Sequence, residues 1–214
     1  MMKSVRLIFA AAGWAALSLI AVTTTAHAQQ TAGNDLRNIR IGMGINDLPT
    51  GGYVHFACAS DQGHAIAAWA DWSKCPAGND GMHAIRFDYD PSTSREGTIV
   101  AGHPALLTLL VDDKGTVAGL RIETDPKARL YLRKKAFLFG MQVKSRYGSD
   151  GWTCQKAQPE NGEQSVGGVY INESCRKTVQ GRSITIERAL YRRADQDMKS
   201  FVDKTSVLIQ RSQG

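Results

Sequence analysis

The sequence predicts an α+β protein: a mostly antiparallel sheet built from hairpins, packed against one main helix at about 128–147 and stapled by two disulfides. Three observations predict it. Short runs rich in β-branched and aromatic residues alternate with Asp, Gly and Pro turns of hairpin length. One stretch, Ala128 to Tyr147, carries helix-forming residues and stops at Gly148. Four cysteines follow an apolar N-terminal run that reads as an export signal.

Lys3 and Arg6 precede Leu7 to Val22, a largely apolar run of 16 residues, and Thr23 to Ala28 closes on Ala-x-Ala. This is the grammar of a secretory signal cut after Ala28. A membrane span needs about 20 apolar residues, so 1–28 reads as a cleaved signal peptide rather than an anchor. The remaining 186 residues, 29–214, read as a single α+β domain with no transmembrane span, working in the periplasm or secreted. A chain of that length buries roughly 70% of its unfolded surface. An even cysteine count in an exported chain predicts two disulfides. Of three connectivities, the spacing favours Cys58–Cys75 and Cys154–Cys175, with 16 and 20 residues between partners. No C-x2-4-C knuckle argues for zinc instead.

Along the chain, Gln29 to Asn38 is polar and reads as a loose start. Leu48 to Gly52 is a turn and Tyr53 to Ala59 a strand. Ile66, Trp69 and Trp72 recur every third position, which would set them on one helical face. His83 to Tyr89 alternates as a strand. Ala105 to Val111 and Thr116 to Thr124 are strands joined by Asp112-Asp113-Lys114-Gly115. Asp125-Pro126 then opens the helix. Its apolar residues make two stripes, Leu132, Ala136, Phe139 and Val143, and Leu130, Phe137 and Met141. Two stripes predict cover on two sides, by the sheet and by a loop. Trp152 to Lys156, Val166 to Val179 and Ser183 to Tyr191 read as further strands, the last with Ile184, Ile186, Arg188 and Leu190 on one face. Phe201 to Ile209 reads as a last strand or a short helix.

Charge is unevenly divided. Residues 29–126 hold 7 Lys/Arg against 12 Asp/Glu, a net of −5, and 127–214 hold 17 against 8, a net of +9. These are two sub-halves of opposite sign, which either attract each other or present a contact surface. Arg129, Arg133 and Lys144 fall on one helical face, and with Lys134 they are the candidate binding residues for an anionic envelope component or an acidic protein. Nucleic acid is excluded as a partner by the export signal and by the lack of any nucleic-acid-binding signature.

The histidines His55, His64, His83 and His103 all lie in the acidic half and are the candidate metal ligands or acid–base groups. No HExxH pair supports them. Asp88 to Thr93 starts like a calcium loop but lacks the glycine and the final acid. Ser174-Cys175-Arg176-Lys177 matches S-x-x-K without its companion motifs. Trp69, Trp72 and Trp152 could stack on a sugar, or serve the core beside the cysteines. The sequence implies no cofactor. It favours an exported protein that acts by binding. A metal- or histidine-assisted periplasmic hydrolase and a structural or inhibitory partner protein are the alternatives.

Overall fold

In the computed structural model, residues 33–60, 63–197 and 199–212 are described; the predicted signal at 1–28 lies outside them. Strands run β1 (Tyr53–Cys58), β2 (His83–Tyr89), β3 (Ile99–Val100), β4 (His103–Val111) and β5 (Val117–Thr124). Two helical segments follow, α1 (Leu130–Arg133) and α2 (Ala136–Arg146). The chain ends with β6 (Thr153–Lys156), β7 (Glu163–Gln164), β8 (Ile171–Val179), β9 (Arg182–Arg193) and β10 (Val202–Arg211). The sheet order is β1-β2-β4-β5-β10-β9-β8-β6, with β3 on β4 and β7 on β9. Every pairing is antiparallel. The fold is therefore the predicted α+β class. It consists of two meanders, one from each sub-half, joined edge to edge where β5 pairs with β10.

Local chemistry accounts for most of the turns. Asp112 Oδ1 accepts the N–H groups of Lys114 at 3.0 Å and Thr116 at 2.8 Å, which closes the β4–β5 hairpin. Gln180 and Gly181 both take positive φ, 51° and 71°, and make the two-residue β8–β9 turn. The three-residue recurrence of tryptophan resolves as a 3-10 helix, Trp69–Lys74, because three residues per turn is the period of that helix. Trp69 is buried, donates to Pro49 O at 3.1 Å and packs edge-on against Phe56 and Phe87. Phe201 to Ile209 resolves as strand, since alternate residues Thr205, Val207 and Ile209 are buried.

Both disulfides take the predicted local pairing, Cys58–Cys75 and Cys154–Cys175. The first ties β1 to the end of the 3-10 helix. The second links directly opposed residues of β6 and β8. Both cysteines of the first and Cys175 of the second are fully buried.

The predicted helix is interrupted. Lys134 and Lys135 leave the α-helical pattern between α1 and α2. No residue of α1 is buried, whereas α2 buries Ala136, Phe139, Gly140 and Val143 on the sheet. Packing holds α2 and nothing apolar holds α1 in phase with it. Leu130 and Phe137 of the second apolar stripe are half-buried, but Met141 is 53% exposed, so among the described residues no loop covers that end of the stripe. The helix stop at Gly148 is as expected, with φ 88°. Lys177 Nζ caps that end, donating to the carbonyls of Tyr147 at 2.7 Å, Gly148 at 3.0 Å and Asp150 at 2.6 Å.

The described part of the expected loose start is anchored instead. Asp35, Leu36 and Ile39 are buried. Asp35 forms a buried ion pair with Arg182, and its Oδ2 accepts from Arg182 Nη2 at 2.9 Å and from Ile41 N at 2.8 Å. Its other oxygen accepts from Tyr147 Oη at 3.3 Å.

Gly140 lets α2 approach β9. A Cβ there would overlap Cδ of Arg188 and lie 3.1 Å from Cγ2 of Ile186. Arg188 cannot easily swing away, because its Nη2 is held 2.7 Å from Glu173. We predict that Gly140→Ala destabilises the fold by about 1–2 kcal/mol in urea titrations, since overpacking costs about 1–3 kcal/mol and the better helix propensity returns less than about 1 kcal/mol.

Candidate functional site

The four candidate binding cations separate into two kinds. Arg133 and Lys144 turn inward. Arg133 Nη2 donates to Asp203 Oδ1 at 3.1 Å and to Phe201 O at 3.4 Å. Its Nε lies 2.8 Å from Asp203 Oδ2, but off the line of the N–H, so neither atom gains a hydrogen bond there. Burial pushes the Asp203 carboxyl up, and Arg133 only partly opposes it. Lys144 Nζ and Arg188 Nη2 converge on Glu173 Oε1, at 2.9 and 2.7 Å. Burial alone would raise the Glu173 carboxyl; the hydrogen bonds and charges of Lys144 and Arg188 together outweigh it and hold it below its ordinary value.

Arg129 and Lys134 are exposed, as are Lys127 and Lys135. Among the described residues, no carboxylate lies within ion-pair distance of any of these four. The break between α1 and α2 takes Arg129 and Arg133 off the helix that carries Lys144, so the single basic face expected from sequence becomes an exposed basic segment, 127–135, above a buried ion-pair cluster. Tyr131, in the middle of that segment, is 57% exposed.

The histidines occupy different surroundings. His55 lies at a bulge in β1 with φ 57°, and its exposed ring has Nδ1 3.1 Å from Asp88 Oδ2. His64 is exposed. His83 bridges Cys75 O at 2.6 Å and Asp113 Oδ1 at 3.2 Å and stands edge-on to Trp72, which clamps the β4–β5 turn to the first disulfide. His103 opens β4; the β3–β4 pairing extends the sheet to it and its ring is buried near Phe139. Burial lowers its pKa, and a hydrogen bond with Gln142 opposes the shift. Among the described residues, no set of three His, Cys, Asp and Glu side chains that includes a histidine gathers at ligand distance. Cys154, Glu173 and Cys175 do gather, but both sulfurs are in a disulfide and offer no thiolate. Lys177 of the S-x-x-K match is held at the helix end, away from catalytic work.

One cavity, of about 410 Å³, was not signalled by any motif. Its apolar floor is Ile122 of β5, Val207 and Ile209 of β10, and Phe139 and Val143 of α2. Arg37, Tyr89, Gln142, Arg146 and Tyr147 stand around it. Arg37 and Arg146 are 109 positions apart in the chain, so no local spacing could have paired them. No family model, curated protein or solved structure matches this chain.

Two outcomes check the electrostatics. Glu173→Gln should cost about 2 kcal/mol at pH 7, because hydrogen bonds to charged groups are worth about 1.5–3 kcal/mol. A lowered carboxyl stabilises above the unfolded pKa and loses that contribution as pH falls through the folded one. The deficit of the variant should therefore shrink below pH 4.5, the ordinary value for this carboxyl. His103 has the lowered pKa of a buried imidazole, so its contribution is present above the ordinary histidine value of 6.5 and is lost as pH falls below it. His103→Leu should flatten stability against pH between about 7 and 5, measured by denaturant midpoints in matched buffers.

Proposed function

We propose that this chain is an exported protein that acts by binding, and that it meets an anionic envelope surface through the segment 127–135. The observation that carries the reading is the exposed set Lys127, Arg129, Lys134 and Lys135, none of which has a carboxylate in reach among the described residues. Arg133 and Lys144 support the segment from below, through Asp203 and Glu173, rather than contacting a partner.

The apolar neighbours favour a lipid surface over an acidic polymer. Tyr131 lies among the cations and Met141 on the following helix, and both are more than half exposed. An amphipathic ring beside basic side chains suits a headgroup boundary. Each basic residue near such a surface contributes about 1 kcal/mol, and salt screens it. The two disulfides, and the absence of a free cysteine among the described residues, fit an oxidising compartment outside the cytoplasm. No helix among the described residues is long and apolar enough to cross a membrane.

Vesicle co-sedimentation tests this. The protein should bind vesicles rich in anionic lipid at low salt and release in about 0.5 M salt. Replacing Lys127, Arg129, Lys134 and Lys135 together with Glu should lower the affinity by about 100-fold or more, while Tyr131→Ser should weaken it less. Equal binding to zwitterionic vesicles, or no binding at low salt, would sink the reading.

A further inference from the structure

We infer that the cavity between α2, the sheet and the segment 35–41 is a binding site for a small single-tailed amphiphile with an oxyanion head. The site is separate from the basic segment 127–135 and does not rest on the reading above.

The floor sets the tail. Ile122, Phe139, Val143, Val207 and Ile209 present an apolar surface inside about 410 Å³, toward the small end of the range that takes organic ligands. The walls set the head. Arg37 stacks on the Tyr89 ring, its guanidinium carbon 3.3 Å from the ring centroid. Arg146 stands on the last turn of α2, with Nη2 donating to Asn34 O at 2.6 Å. Among the described residues neither guanidinium has a carboxylate within ion-pair distance.

Among the described residues, Asp35 is the one carboxylate that lines the cavity, and it is already satisfied by Arg182, Ile41 N and Tyr147 Oη. The cavity therefore holds two arginines with open donor positions and no free acceptor charge to match them. Tyr89 adds a neutral hydroxyl: burial pushes its pKa up to about 12, with Arg37 opposing, so it stays protonated at any working pH. Guanidinium groups bind carboxylate and phosphate through paired N–H donors. An ammonium head would meet repulsion here, and an uncharged polar head would leave both guanidinium groups without a counter-charge.

Isothermal titration of the purified protein with decanoate, decyl phosphate, decanol, decylamine and acetate tests the site. We expect saturable one-to-one binding of decanoate or decyl phosphate at least tenfold tighter than decanol. The tighter of the two identifies the head. Acetate should not bind, since it has no tail. Arg37→Gln and Arg146→Gln should each weaken the preferred anion about tenfold with the melting temperature unchanged, because both side chains are exposed. Arg37→Lys should recover part of the loss. No saturable binding of either anion up to millimolar concentration would overturn the inference. So would decanol or decylamine matching the anions, or anion binding indifferent to both arginine substitutions. Anion titration left intact in the 127–135 variant would show that the cavity binds independently of the basic segment.

Discussion

The pairing of β5 with β10 is the constraint on which the rest of the molecule depends. Each meander by itself would end in an open strand edge, which attracts unwanted partners. β10, the last strand, returns to the middle of the sheet and lies between β5 and β9. Thr205, Val207 and Ile209 then face inward beside Leu120 and Ile122. That surface is what α2 covers with Phe139 and Val143. Thr205 also donates its hydroxyl to Ala136 O at 2.8 Å, which fixes the start of the helix on the strand. The basic segment ahead of α2 and the cavity beneath it both take their positions from this contact.

The division of charge along the chain has a different meaning in three dimensions. A net of +9 in one half invites the picture of a positive face. Part of the basic charge is internal. Arg133, Lys144 and Arg188 meet Asp203 and Glu173 of their own half, and Arg182 crosses to Asp35 of the other. Buried pairs of this kind add little net stability over apolar residues of the same shape, but losing one partner is costly. They act mainly as positional constraints. Asp35 shows this best, since one carboxylate holds the β8–β9 turn, the end of α2 and the 35–41 segment together.

What was legible in the sequence was local. The turn at Asp112–Gly115, the stop at Gly148, the alternation through Ser183–Tyr191 and the disulfide pairing all depend on residues close in the chain, where period and turn chemistry decide the outcome. The sequence was less informative where distant residues compete with local preference. Residues 128–147 have the composition of one helix, yet burial holds only 136–146. The polar stretch before Asn38 looks loose, yet Asp35 finds Arg182 147 positions away. The inward turn of Arg133 and Lys144 is of the same kind, because a charge pattern records sign and period but not which carboxylate lies beneath. The cavity is the extreme case: its lining comes from six separated segments, and no single one carries a mark of it.

The disulfide connectivity has a consequence for how the molecule is made. Each bridge joins cysteines that are consecutive in the chain, 58 with 75 and then 154 with 175. Under the export proposed above, a chain threaded N-terminus first into an oxidising compartment exposes the first pair together before the third cysteine emerges. A simple thiol oxidant acting in that order makes the native bridges without a later exchange step. The first loop can be closed before the second half of the sheet exists, and the fold becomes complete only when the final strand arrives to join the two meanders.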